Sequence, residues 1–483
     1  MTKREQSRAR RGLSTWAPSR GVLALAAACV LALAGTAHAG SEPPFVPNEV
    51  VVRLAPGTQA GPLAASLGSV VLASIDSRNI HRLRVPVGTS EEDFASILGN
   101  DPRVVRVELN FIADDNPPGG TTQSIFIVER QAEHAVQAAL ASIGASATRE
   151  HSTGAGVVVA VLDSGIERGH RAFRARSVLP GVDLVDNDTN PADVGDGIDN
   201  NGDGRVDEFV GHGTSVAGLV LRVAPGATIL PIRVLDSDGG STTFRVVDGM
   251  YRALDLRADV LNMSLGTIAA SPLLEEALGE AATRGALVVA SAGNDASGGT
   301  PRYPAAFSGP NVVSVAATRS NDVLASFSNW GTSVTLTAPG VGVVGPITQG
   351  RYGRANGTSF AAPLVSGTAA LVKGIAPGLS MVQVRSRLEA TSTPIDALNP
   401  DVAGEIGSGR LNAAAAVGAK GDTLPGMADI NADRVVDWKD VALARQRPLD
   451  ANADGVINAA DIAAIEAFAK RLEWLDSGTP LGQ

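Results

Sequence analysis

The stretch Gly156-Val157-Val158-Val159-Ala160-Val161-Leu162-Asp163-Ser164-Gly165 constrains the fold most. A continuous apolar, β-branched run without alternation makes a strand buried on both faces, as in a parallel sheet covered on each side by helices. Further such runs stand at 227–234, 260–263, 286–290 and 311–316, with helical segments over 245–256 and 271–284 between them. This order predicts an α/β fold, an open, mostly parallel, doubly wound sheet whose reactive groups gather at the carboxyl ends of the strands. Asp163 emerges at one such end.

At 483 residues the chain exceeds one ordinary domain, and 44% hydrophobic against 19% charged residues suffices for packed cores. The segment 121–420 is read as the large domain. Ahead of it, Lys3, Arg4, Arg8, Arg10, Arg11 and Arg20 precede an apolar run over 21–35 that ends in Ala37-His38-Ala39. That is the layout of a signal peptide over 1–39, cleaved before Gly40, and it predicts a secreted, extracellular or periplasmic protein. An apolar run of about fifteen residues is short for a membrane span, so no membrane is expected after cleavage. Arg10-Arg11 leaves twin-arginine export open beside the general route. Cys29 lies inside the apolar run, so the mature chain holds no cysteine and is stabilised without disulfides. A formal net charge of −10 argues against nucleic acid as a partner.

Residues 40–120 hold a smaller piece. Over 44–113, strands are predicted at 49–54, 81–85 and 104–107 and helices at 60–67 and 90–98, a small α+β unit with its helices on one face of an antiparallel sheet. The polar, turn-rich segment 114–120 closes it as a linker open to proteolysis. A helical stretch is expected from Ala132 to Ile143.

Two helices in the large domain begin on reactive side chains. Gly211-His212-Gly213-Thr214-Ser215-Val216-Ala217-Gly218 puts a histidine at a helix start, and Gly357-Thr358-Ser359-Phe360-Ala361-Ala362-Pro363 does the same with a serine. Each alone reads as a cap. Together with Asp163, in the order Asp, His, Ser, they resemble the subtilisin-like serine peptidases, as do Asn262-Met263-Ser264-Leu265-Gly266 and Ser291-Ala292-Gly293-Asn294. The resemblance implies Ser359 as nucleophile, His212 as the base that takes and returns its proton, and Asp163 as the group that orients the imidazole. It assigns the oxyanion donors to Asn294 and the Ser359 N–H. It makes Ser264, Leu265 and Gly266 an edge for the substrate backbone and, with Ala292 and Gly293, the wall of the pocket for the residue before the cleaved bond. No charge is evident in that pocket, so an open, apolar site of broad hydrophobic preference is expected. By the same resemblance the 44–113 unit is a propeptide, an intramolecular inhibitor of a self-processing endopeptidase that acts on proteins or peptides.

Between Asp163 and His212 lies an acidic run in which Asp199, Asn201, Asp203, the Arg205 carbonyl and Asp207 offer oxygen ligands at alternate positions, with glycines for tight turns. This suits calcium; a solvated acidic loop is the alternative. Residues 421–483 repeat the theme. Asp429, Asn431, Asp433, Val435 (carbonyl), Asp437 and Asp440 form one loop register, and Asp450, Asn452, Asp454, Val456 (carbonyl), Asn458 and Asp461 a second, each ahead of a helix. The duplicated loop and helix resemble a dockerin module, whose partner would be of the cohesin type. Arg434 in place of the usual glycine, and a short first helix cut by Pro448, favour calcium binding over partner recognition.

Two other readings use the same residues. The 44–113 unit could be a permanent regulatory domain of a peptidase, or the chain a surface attachment protein that works through its C-terminal calcium loops.

Overall fold

The computed structural model describes residues 43–114, 127–129, 131–135, 137–173, 177–300 and 302–418. The predicted signal peptide, the 115–120 linker and the C-terminal loops over 429–440 and 450–461 lie outside the described residues.

The N-terminal unit runs β1 (Phe45–Leu54), α1 (Ala60–Ser66), β2 (Val71–Ile75), β3 (Ile80–Arg84), α2 (Glu91–Gly99) and β4 (Val104–Asp114). Its strands are antiparallel in the order β2-β3-β1-β4. Alternation in β1 sends Val50, Val52 and Leu54 inward with Leu63, Leu83, Phe94 and Leu98, whereas Val51, Ile75 and Ile80 on the opposite face join the core of the large domain. The α+β reading stands. Strand β2 is an addition to it, hidden in the sequence because its Val-Leu-Ala-Ser-Ile run is short and largely half-buried.

The connection to the large domain holds β5 (Ile127–Glu129), α3 (Gln131–Ala135) and α4 (Ala138–Ser142). The single helix expected over 132–143 is corrected to two short ones. Between them Gln137 is extended, and its side chain pairs with the Val344 main chain, donating to the carbonyl at 2.7 Å and accepting from the N–H at 2.8 Å. That pair draws the backbone out of the helix.

The large domain continues with β6 (Val158–Asp163), β7 (Val182–Asp183), α5 (His212–Val223), β8 (Thr228–Arg233), β9 (Gly240–Thr242), α6 (Thr243–Asp255), β10 (Val260–Met263), α7 (Pro272–Thr283), β11 (Leu287–Ser291), β12 (Val312–Thr318), β13 (Leu336–Pro339), β14 (Val343–Ile347), β15 (Arg351–Ala355), α8 (Thr358–Ile375), α9 (Met381–Ala390) and α10 (Ala413–Ala416). Seven strands form a parallel sheet in the order β13-β12-β11-β10-β6-β8-β7. The two faces feed separate cores. Val159, Val161, Val289 and Val313 pack with α5 and α8, while Ala160, Leu162, Leu261 and Val288 pack with α6 and α7. The doubly wound sheet predicted from the apolar runs is the observed one. Strand β9 stays out of it and pairs antiparallel with β4, Ile112 opposite Thr242 and Asp114 opposite Gly240.

Candidate active site

Asp163 ends β6 and His212 opens α5, and both side chains are 1% exposed. His212 Nδ1 and Asp163 Oδ1 are 2.7 Å apart, and the same carboxylate oxygen accepts from the Ser164 N–H at 2.8 Å. The imidazole is stacked on Phe209 at 4.2 Å between ring centres and lies 5.2 Å from the tilted Phe360 ring. Glycine is needed beside it. A Cβ on Gly213 would lie 2.2 Å from the Gly165 carbonyl oxygen, so only the bare backbone lets α5 approach the end of β6 this closely.

Ser359 lies in the first turn of α8, behind Gly357 with φ 153°. Its neighbour Phe360 is the ring that faces His212, so the two helix starts converge. Ser359's own carbonyl accepts from Ser264 Oγ at 2.8 Å. Ser264 in turn accepts from Asn262 Nδ2 at 3.0 Å, and Asn262 Oδ1 accepts from Ser366 Oγ at 2.8 Å, a buried chain that ties β10 to α8. Asn294 follows β11, and its Oδ1 accepts from both the N–H and the hydroxyl of Thr358 at 2.9 Å, which leaves the amide NH2 as its outward donor.

Asp193 has no motif of its own in the sequence, but the structure brings it to the site. Its carboxylate accepts from Ser164 Oγ at 3.2 Å, Gly211 N at 3.0 Å, Thr214 N at 3.1 Å and Thr214 Oγ1 at 2.6 Å. Ser164 Oγ also accepts from the Gly213 N–H at 3.0 Å. Asp193 therefore bridges the strand end that carries Asp163 and the helix start that carries His212. Burial pushes its pKa up to about 6, with the charge of Asp163 adding to the rise, against hydrogen bonds that pull it down.

Of the expected substrate-binding residues, Leu265 turns its side chain into the α6 and α7 core, so the Ser264–Gly266 edge can offer substrate its main chain only. Ala292 and Gly293 lie beyond β11, near the same edge, and the wall they share with Gly266 is not bare. A Cβ on Gly293 would be 2.6 Å from Arg302 Cγ, and one on Gly266 would be 3.4 Å from Arg302 Cβ. The Arg302 guanidinium clasps Asp295, with Nε 2.8 Å from Oδ2 and Nη2 in contact with Oδ1. Where the sequence suggested no charge beside these residues, an ion pair lies against Gly266 and Gly293. The edge Gly240–Thr242 also escapes sequence reasoning. It carries β4 as an added strand, and Thr267 Oγ1 donates to the Ile112 carbonyl at 2.9 Å from the other side.

In the acidic loop the side chains turn onto the loop's own backbone. Asp199 accepts from the N–H groups of Gly202, Asp203 and Gly204, Asn201 from Asp203, Asp203 from Arg205, and Asp207 from Asp196 and Gly197. No group of three His, Cys, Asp or Glu able to hold a metal occurs among the described residues. The donor set is all oxygen, the kind a hard cation takes, and the turns are tight, with φ 74° at Gly202 and 91° at Gly204, but the side-chain oxygens are spent on the loop's own N–H groups and do not converge on one point.

Residues 154–418 match the Subtilase family, and residues 32–110 the Fervidolysin N-terminal prodomain. Subtilisin E of Bacillus subtilis (strain 168) is 34% identical over 320 residues, covering 63% of this chain and 74% of that protein. Subtilisin Savinase of Lederbergia lenta is 37% identical over 273 residues, covering 55% of this chain and 91% of that one. A solved structure of a protease from Pseudoalteromonas arctica superposes with a TM-score of 0.51 at 32% identity, over 57% of this chain and 93% of the other.

Proposed function

The chain belongs to the subtilase family of serine endopeptidases and carries a prodomain, and from that premise we propose a secreted, self-processing precursor that uses Ser359, His212 and Asp163 as its triad. The observation that carries the proposal is the 2.7 Å contact between His212 and the buried Asp163, with the ring stacked on Phe209 and close to Phe360. Asp163 keeps a proton on Nδ1 and leaves Nε2 to act as base. Ser359 attacks the scissile carbonyl as its proton passes to His212, and the imidazolium then returns the proton to the leaving amine, which frees an acyl-enzyme for water. The oxyanion meets the Asn294 NH2, whose orientation follows from Thr358 holding the amide oxygen, and the Ser359 N–H at the positive end of α8.

What supports self-inhibition is the pairing of Ile112–Asp114 with Gly240–Thr242. The prodomain's last strand occupies an edge that a substrate backbone would need. Cleavage falls in the linker that follows.

Calcium is the structural cofactor of the proposal. Asp199, Asn201, Asp203, Asp207 and the Arg205 carbonyl would hold it in the acidic loop; the C-terminal loops join the proposal on their ligand register alone, as does a cohesin-type partner for them. Bound calcium would cross-link the loop and supply stability, not chemistry.

Ser359→Ala tests the centre of the proposal. The variant is expected to accumulate as an unprocessed precursor lacking only its signal peptide, visible by intact mass. Normal processing together with peptide hydrolysis by the purified variant would remove Ser359 from the mechanism.

A further inference from the structure

Arg302 occupies an unusual place for a charged side chain. Its stem lies against Gly293, the residue before Asn294, and against Gly266, at the end of the substrate edge. Its backbone is fixed there, because the neighbouring Tyr303 exchanges both main-chain hydrogen bonds with Thr267, at 2.8 and 2.9 Å. The head is fixed as well. Asp295, which receives the guanidinium, is itself held by Asn329, whose Nδ2 donates to Oδ2 at 2.8 Å and whose Oδ1 accepts from the Asp295 N–H at 2.9 Å. The Arg302 side chain is 13% exposed and that of Asp295 25%, so the guanidinium is largely covered while its carboxylate partner keeps a face to solvent.

A large apolar side chain entering between Gly266 and Gly293 would have to displace this stem and part a bidentate, charge-assisted pair. A short side chain would not reach it. A carboxylate would meet a guanidinium, a planar cationic fork whose charge and geometry suit carboxylate oxygens. We propose that Arg302 sets the preference of this peptidase for the residue before the cleaved bond, admitting small and carboxylate side chains ahead of large apolar ones. The proposal rests on the reading of Ser264–Gly266 and Ala292–Gly293 as the walls of that pocket in a working peptidase.

The test is a series of tetrapeptide p-nitroanilides that differ only in the last residue, Ala, Glu, Phe or Lys, assayed with the processed enzyme and accompanied by fluorophosphonate labelling. Ala and Glu are expected to exceed Phe in kcat/KM by about tenfold or more. In Arg302→Gly the order of Phe and Ala is expected to reverse. In Asp295→Asn, which leaves the guanidinium charge without its partner, the Glu to Ala ratio is expected to rise. Each comparison is a ratio within one protein, so a partly folded variant does not distort it; if Arg302→Gly does not fold, the wild-type series and Asp295→Asn still decide. Phe or Lys leading in the wild type, or a Phe to Ala ratio unmoved by Arg302→Gly, overturns the proposal while the peptidase stands. No hydrolysis across the series and no labelling overturns the peptidase reading and this one with it.

Discussion

Asp193 shows how a buried charge can be structural and titratable at once. Four donors hold its carboxylate, yet burial raises its pKa to about 6, above that of an aspartate in an unfolded chain. A carboxyl whose folded pKa is raised adds to stability in its protonated form, so this contribution is whole below about pH 4 and is lost as the pH rises through about 6. Asp193→Asn abolishes the titration. In a Ser359→Ala background, which removes self-digestion, the unfolding free energy of wild-type Asp193 minus that of the Asn variant is expected to fall by about 2–3 kcal/mol between pH 4 and 8, measured by denaturant titration. A difference that stays flat with pH would show that Asp193 does not titrate in that range. Asp163, His212, Asn294 and Ser359 could be named as candidates from the sequence because each is embedded in a local motif. Asp193 and Arg302 were not: Asp193 acts on a helix start 21 positions further on, and Arg302 acts across a bridge between Thr267 and Tyr303. No local pattern encodes such contacts.

Among the elements, the parallel strands were legible because burial on both faces leaves an uninterrupted apolar run; the predicted 260–263 and the observed Val260–Met263 coincide. Strand β9 was hidden, since Gly240-Ser241-Thr242 has neither alternation nor an apolar run and is a strand only because β4 lies beside it. The loop over 199–207 was legible as a ligand register but not as a conformation. Its carboxylates accept from the loop's own N–H groups, and Asp207 adopts φ 56°, a left-handed conformation that a non-glycine residue enters at some cost. A cation that binds this loop only in the folded chain adds RT ln(1 + [L]/Kd) to stability. Chelation is accordingly expected to lower the unfolding temperature of the Ser359→Ala protein by several degrees and added calcium to restore it, followed by calorimetry. The proposed sites in this loop and at the C-terminus are separated by Asp199→Ala/Asp203→Ala, which should remove the share of the shift that belongs to the loop. An unfolding temperature indifferent to chelator and calcium alike would dismiss both.

For the whole molecule, the proposed maturation raises the question of what governs escape from the prodomain once the linker is cut. The contact combines an apolar patch, Val51, Ile75, Ile80 and Ala113 against the α6 and α7 core, with polar locks around it. Glu108 accepts from Ser271 Oγ at 2.6 Å and from the Leu273 N–H at 3.1 Å, so the prodomain caps α7 as a helix residue would. Arg78 reaches Glu280 at 2.6 Å and Asp255 at 2.9 Å, with its guanidinium 4.7 Å from the centre of the Tyr251 ring. Apolar area sets most of the affinity, but a partly buried charge pair sets how fast the surfaces part. Removing Arg78 would ordinarily strand two carboxylates, a cost of several kcal/mol; here Arg284 pairs with the same two, at 2.8 Å to Glu280 and 2.9 Å to Asp255, and remains in place. The expected loss for Arg78→Ala is therefore the smaller figure of about 1–2 kcal/mol, or about tenfold in dissociation. Since Arg78 lies far along the chain from the linker and its partners in the large domain, Tyr251, Asp255 and Glu280, stand on α6 and α7, the cut itself should proceed at its normal rate while peptidase activity appears about tenfold sooner after it. Following both in one time course, the cut by mass and the activity by peptide hydrolysis, separates the two steps. An unchanged lag in the variant would mean that release waits on the cleft strand Ile112–Asp114, paired with Gly240–Thr242, and not on the helix-facing surface.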